Sequence, residues 1–220
     1  MSIKELISYE FPLLTLQDTG NRALSLMNEF RVFHLPLVDR GDYMALISED
    51  DLLDWDTPEE PLSLAEFINF RPMVTEQMHP YEAMKLVKEF NLSIVPVVGL
   101  HQHFVGIITV EGLFNYLLET NAVKELGAII VLEMEQRNYS ASEIARICES
   151  NDVSILSLFV NTIQETGGQL VTLKVNQPDV QALIATFERF GYVVKDVYAA
   201  KNHLEDLQQN YDAFMNYLNV

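Results

Sequence analysis

Ser48-Glu49-Asp50-Asp51 is the segment where residue type and spacing come nearest to chemistry: a hydroxyl stands three positions before a carboxylate, just ahead of the apolar pair Leu52-Leu53. A serine oxygen there accepts an orphan amide of an opening helix, and the acids favour the helix's positive end, so a cap accounts for all four residues. The same hydroxyl and amides can hold a phosphate or another polar group. Both readings stand at this point. A second hydroxyl, Thr109, has Gly112 three positions on, without a carboxylate.

Other reactive side chains read more simply. Cys148 shares a helical apolar face with Ile144 and Ile147, the setting of a core thiol rather than a nucleophile. His101-Gln102-His103 falls in a turn between two expected strands, and no third metal ligand is implied. Met27, Met44, Met78 and Met84 read as core filler, and Trp55 as a lid on an apolar core that could also stack on a base. No nucleotide P-loop, dinucleotide fingerprint or metallohydrolase pair is present, so an enzyme is not expected.

The elements that must position these residues come in two copies. Glu29–Val38 lines up without a gap on Glu89–Val98, and Ala23 falls on Ala83; further on, Leu46–Leu53 matches Ile107–Phe114 one residue out of step. Two copies of one supersecondary unit usually pack around a pseudo-twofold axis, which makes the cleft between them the first place to look for function. In the first copy Thr19 caps an amphipathic series at Ala23, Leu24, Met27 and Phe30. A strand at Phe33–Val38, a turn at Gly41-Asp42 and a strand at Tyr43–Ile47 follow, then the helix opened by Ser48. The second copy repeats the order, with His79-Pro80 at its helix start. Between them, Thr57–Pro61 is a stiff acidic linker before a short helix expected around Ser63–Phe67.

An apolar strand interrupted by proline, a second strand after a tight turn, and a hydroxyl three positions before an aspartate resemble the cystathionine-β-synthase (CBS) domain. The resemblance covers roughly residues 1–120 as a tandem pair. It implies a regulatory module that binds an adenosyl compound such as AMP, ATP, S-adenosylmethionine or adenosine. It assigns Asp51 to the ribose hydroxyls and Ser48 and Thr109 to polar groups of the ligand, with Phe33, His34, Leu35 and Pro36 flanking the base. Gly112 departs from the pattern, so the first cleft is expected to be competent and its mate degenerate. Clustered acids at Glu49 and Asp50, with few cations besides Arg22, Arg31 and Lys85, make a triphosphate a poor guest.

Composition changes near Gly127. Strands at Ala128–Met134, Val153–Val160, Gln169–Val175 and Tyr192–Tyr198 alternate with a helix opened at Ser140 and another started by Pro178-Asp179 and ended by Gly191. The order β-α-β-β-α-β is the ferredoxin-like split βαβ arrangement. With Phe190–Val194 leading from helix to last strand, residues 127–199 resemble an ACT domain. Its loop Glu135–Tyr139 lacks the glycine many such sites use, so pairing of subunits is expected rather than amino-acid binding. The layout is similar to acetoin-utilisation-type CBS–ACT proteins. Residues 203–220 carry Leu204, Leu207, Tyr211, Phe214 and Leu218 at helical spacing, a terminal amphipathic helix.

The expected fold is thus α/β (α+β): CBS repeats at 1–60 and 61–122, an ACT-like domain at 123–200 and a terminal helix at 201–220. Fourteen Lys and Arg against 32 Asp and Glu give a net charge of -18, which argues against nucleic acid and anionic membranes. One cysteine suits a reducing compartment, and no run approaches the roughly 18 apolar residues of a membrane span. A cytoplasmic homodimer with no resident cofactor is expected, its regulated protein partner unknown. The alternative is a degenerate adaptor that uses the same scaffold without a small-molecule ligand.

Overall fold

Thr19 starts the first long helix by accepting the Arg22 N–H on its Oγ1 at 3.2 Å, and His79 starts the equivalent helix sixty residues later by accepting the Tyr81 N–H on its Nδ1 at 3.2 Å. The computed structural model describes residues 2–199 and divides the chain into two units, Met1–Leu117 and Leu118–Val220. In the first unit the order is α1 (Ile3–Leu6), α2 (Gly20–Phe30), β1 (His34–Asp39), β2 (Asp42–Ser48) and α3 (Glu49–Leu53). Then follow β3 (Val74–Thr75), α4 (Pro80–Phe90), β4 (Ile94–Val98), β5 (Phe104–Thr109) and α5 (Val110–Thr120), whose last three residues fall in the second unit. Helices α2 and α4 each run 11 residues and stop at a left-handed residue, Arg31 (φ 55°) or Asn91 (φ 53°), that turns the chain into the next strand.

The hairpins repeat as well. His34 faces Ser48 and Val38 faces Tyr43 in one, Ile94 faces Thr109 and Val98 faces Phe104 in the other, each with a register shift before its last pairs. Four residues separate Val38 from Tyr43, and five separate Val98 from Phe104, where a 3-10 turn at Leu100–Gln102 replaces the tight turn at Arg40-Gly41. The one-residue slip between the copies therefore sits in the hairpin loop and costs the paired strands nothing. Leu14 bridges Leu37 in parallel and Val74 pairs with Val97 in parallel, so even the short leading segments are equivalent.

The copies are knitted together across the repeat. Ser8 exchanges hydrogen bonds with Ile107 of β5, at 2.8 and 3.1 Å, and Leu46 of β2 donates to the Phe70 carbonyl at 2.9 Å. Gly106 is required beside the first of these contacts, because a Cβ there would lie 2.7 Å from the Ser8 carbonyl oxygen. Ile3 packs into the core of the second repeat, with Val74, Ala83, Ile94, Val97 and Ile107, whereas Leu62 packs into the first, with Leu14, Met27, Leu37 and Leu52.

The second unit holds β6 (Ala128–Glu135), α6 (Ala141–Glu149), β7 (Ile155–Thr162), β8 (Gly168–Val175), α7 (Gln181–Arg189) and β9 (Val193–Ala199). The sheet is antiparallel with order β7-β8-β6-β9, the split βαβ topology. Ala128, Ile130 and Leu132 of β6 and Val171, Leu173 and Val175 of β8 face Ile144, Ile147, Cys148, Leu183 and Phe187 of the two helices. Period-two burial along β8 fits a sheet with helices on one face only.

Three expectations are corrected. The helix expected around Ser63–Phe67 is a single 3-10 turn, Leu62–Leu64, placed directly after Pro61. The helix expected to start at Pro178-Asp179 begins at Gln181, because Asp179 takes the Gln181 N–H at 3.2 Å in a turn and Val180 is neither helical nor extended, with φ -124° and ψ 15°. Met78 is 43% exposed rather than core filler, and its sulfur accepts the Thr75 N–H. The terminal helix expected at 203–220 lies outside the described residues. Among the described residues no helix is long and apolar enough to cross a membrane.

Candidate functional site

The two helix-to-strand turns, Phe30–Phe33 and Asn91–Ser93, come side by side and frame a cleft of 560 Å³. The start of α5, Thr109–Glu111, forms a further wall, and Phe11 completes it. Where the copies touch, equivalent positions meet. Phe33 donates its N–H to Ser93 Oγ at 3.0 Å, Ser93 donates its N–H to His34 Nδ1 at 3.3 Å, and Ser93 Oγ lies 3.1 Å from the same nitrogen. Burial pushes the His34 imidazole below its ordinary pKa, against the upward pull of Asp51 and Asp50.

The cleft has an aromatic pole and a polar one. Phe33 is 61% exposed, and Phe30, 44% exposed, stacks edge-on against Phe11 with ring centroids 5.8 Å apart. Such rings offer a face on which a planar base can stack. At the other pole are the Thr109 hydroxyl and the first turn of α5, whose leading amides lack partners within the helix. Arg31 and Glu111 line the same cleft with opposite charges.

The residues expected from sequence distribute unevenly. Phe33 and Thr109 line the cleft; His34 lies behind it, tied to Ser93. Leu35 and Pro36 are buried strand residues, and Leu35 belongs to the first repeat's core. Ser48 and Asp51 bond to each other. Asp51 Oδ2 accepts the Ser48 hydroxyl at 2.6 Å and the Ser48 N–H at 3.3 Å, while Ser48 Oγ accepts the Asp51 N–H at 3.1 Å. The leading donor of that turn, the Glu49 N–H, goes to the Phe33 carbonyl at 2.9 Å. In the second repeat the Gly112 N–H reaches Thr109 Oγ1 at 3.0 Å, and the hydroxyl proton has no carboxylate three positions on to take it. The 560 Å³ cleft thus lies on the side with the glycine, whereas the expectation favoured the side with the aspartate.

Sequence reasoning passed over Phe11, Phe30, Ser93, Val110 and Glu111. Ser93 was within reach, since it occupies in the second copy the place of Phe33 in the first. Of the three cations noted near the acids, Arg22 pairs with Asp18 at 2.8 Å and Lys85 with Glu82 at 3.0 Å, and Arg31 lines the cleft.

A broader groove of 1620 Å³ runs along one end of the second unit, past Glu133–Ser140, Thr166–Gly168 and Phe190–Val193. Its acids are engaged: Glu133 with Lys195 at 3.1 Å, Glu135 with Arg137 at 2.6 Å, and Glu143 with the Tyr192 hydroxyl at 2.9 Å. Cys148 is fully buried, and burial pushes its thiol up to about 11, the state of an inert core residue. Trp55 meets Phe67 edge-on at 5.6 Å over the first repeat's core. His103 lies 3.9 Å from Asp42, and among the described residues no group of three His, Cys, Asp or Glu could hold a metal ion.

Comparison with known proteins gives matches to the model of the CBS domain at residues 3–57 and again at 66–119. A CBS domain-containing protein of Dictyostelium discoideum is 26% identical over 132 residues, which is 53% of this chain and 91% of that protein. Among solved structures, a CBS domain pair/ACT domain protein from Thermotoga maritima superposes with a TM-score of 0.47 at 22% identity, over 54% of this chain and 98% of that one. CBSX2 in complex with AMP gives 0.47 at 19% identity, over 54% and 96%.

Proposed function

With residues 3–57 and 66–119 forming a tandem pair of CBS domains, we propose that the chain is a regulatory sensor. An adenosyl ligand occupies the cleft between its repeats. The observation that carries this reading is the 560 Å³ cleft built from equivalent turns of both repeats, a size suited to one small molecule. The base stacks against Phe33 and Phe30, and the polar end meets Thr109, the first amides of α5 and Arg31. One cation and one carboxylate at that pole favour a ligand of low charge, adenosine, AMP or S-adenosylmethionine, over ATP. No catalytic role is proposed.

Thermal unfolding in the presence of adenosine, AMP, ADP, ATP or S-adenosylmethionine tests this. A ligand at 100 times its dissociation constant stabilises by about 2.7 kcal/mol, a shift of several degrees. No shift with any of the five would end the sensor reading in favour of an adaptor without a ligand. Gly112 and the mutual Ser48–Asp51 bonding are what favour that alternative.

The second unit we read as ACT-like and as the element that pairs two subunits. The sheet face opposite the helices carries Ile129 and Val131 of β6, Leu170 of β8, Phe159 of β7 and Tyr198 of β9, a partly exposed apolar surface that a second copy can cover. Sedimentation equilibrium is expected to return twice the 25.1 kDa chain mass. A particle of one chain mass at micromolar concentration would rule out the dimer.

A further inference from the structure

His34 stands where the two repeats meet, and one of its bonds there, the Ser93 N–H to its Nδ1, requires that nitrogen to be unprotonated. Its Nδ1 accepts the Ser93 N–H at 3.3 Å and lies 3.1 Å from Ser93 Oγ, which in turn accepts the Phe33 N–H at 3.0 Å. One imidazole nitrogen so holds the entries of β1 and β4 together, and Phe33 and Ser93 are both walls of the cleft. The ring is 9% exposed, and the charged groups acting on it are Asp51 and Asp50 of α3.

Protonation changes what this ring can do. An imidazolium carries hydrogen on both nitrogens, so Nδ1 would face the Ser93 N–H donor against donor and keep across the junction just the Ser93 Oγ, which already accepts the Phe33 N–H. The carboxylates of Asp51 and Asp50 attract the same cation. Neutral His34 therefore has its partner across the repeat junction, and charged His34 has its partners on the helix of its own repeat. Two states with different partners make a switch.

We propose that His34 is a proton-sensitive clasp of the cleft: neutral, it ties Phe33 to Ser93; protonated, it turns toward α3, lets the two turns part and weakens ligand binding. The charges lining the cleft itself, Arg31 and Glu111, are opposite in sign, so they leave no strong net field to oppose the change. A second histidine of this unit, His79, uses Nδ1 to cap α4 and has Nε2 3.3 Å from the Tyr116 hydroxyl. A test has to tell the two apart.

Amide shifts of Phe33 and Ser93 in the nitrogen-15-labelled full chain, followed from about pH 8 to about pH 5, make that distinction. Both amides are expected to titrate together with the His34 ring, with a midpoint below the ordinary value of about 6.5. In His34→Asn, whose Oδ1 can take the place of Nδ1 and cannot be protonated, both should stay flat, while His79→Asn keeps the titration. In parallel, AMP affinity measured by calorimetry should fall about threefold or more on acidification in the wild type relative to His34→Asn. That ratio cancels the ionisation of the AMP phosphate, whose second pKa is about 6. The affinity arm rests on the sensor reading above and the amide arm does not. Absence of AMP binding at every pH counts against that reading while the amides still judge the clasp. Flat wild-type amides, or an unaltered titration in His34→Asn, overturn the clasp, and a constant affinity ratio overturns its control of the ligand.

Discussion

Phe33 donates its backbone N–H to the Ser93 hydroxyl at 3.0 Å, although the two residues hold the same position in the two copies, 60 residues apart. Equivalent positions can touch only where the pseudo-twofold axis passes between them. The cleft beside them is accordingly a product of the repeat rather than of either copy alone. Position 33 supplies a ring and position 93 a hydroxyl, and this difference makes the junction asymmetric.

Ser93→Ala removes the acceptor of the Phe33 N–H and a partner of His34. At a partly exposed site where water can replace the lost bonds, the expected cost is about 1 kcal/mol. Urea denaturation followed by the fluorescence of Trp55, the chain's single tryptophan, reads this in the first unit. A loss of less than a few tenths of a kcal/mol would mean that the junction is held by burial alone.

Asp51→Ala opens the capping box of α3. The helix should lose about 1 kcal/mol, whereas AMP affinity for the Thr109 cleft should change less than about twofold, because Asp51 spends its Oδ2 on Ser48. A tenfold loss of affinity, about 1.4 kcal/mol, would instead put this carboxylate on the ligand.

Gly112→Asp supplies the missing counterpart. The new Cβ would lie 3.2 Å from Thr109 Oγ1, a tight contact that a small shift of the hydroxyl relieves as the box seen at Ser48 and Asp51 is rebuilt. Replacing a helical glycine and adding a carboxylate in the first turn should together stabilise by about 1 kcal/mol. The added charge stands near the polar pole of the cleft, so AMP should bind more weakly while adenosine is little affected. Equal losses for both ligands would show a steric effect and remove phosphate from that pole.

Tyr192 gives a pH-dependent test in the second unit. Burial and the hydrogen bond to Glu143 push its phenol up to about 12, so the folded state favours the protonated form. Its contribution is complete below the unfolded value of about 10 and is lost as pH rises from there through the folded value. Tyr192→Phe should cost about 1 kcal/mol near neutral pH and flatten this alkaline decline. Circular dichroism melts across that range check it, and an equally steep decline in the variant would assign the loss to another group.

Much of the first unit follows from the sequence alone. Thr19, Ser48 and His79 sit just before apolar series at helical spacing, and each caps a helix, because capping is settled by atoms within three residues of one another. The gapless match of residues 29–38 to 89–98 predicted equivalent strands for the same reason, and the one-residue slip went into a hairpin loop where length is least constrained. In the second unit, alternation along β8 and the order of elements implied the sheet, since a period of two has no other stable home.

Tertiary structure alone decided which groups of the two repeats line an open cleft. Ser48 and Asp51 carry a spacing that reads as a cap or as a ligand motif; the cap is local, through Asp51 Oδ2 and Ser48 Oγ, but only the fold sends the Glu49 N–H beside them to the Phe33 carbonyl. Thr109 and Gly112 look like a damaged copy in sequence, yet the removal of one side chain leaves the hydroxyl and the first turn of α5 at an open cleft. The pairing of Ser93 with Phe33 and His34 spans about 60 residues of chain and depends on two helices ending in the same left-handed turn. Local chemistry set the elements; the axis that joins the two copies set the site.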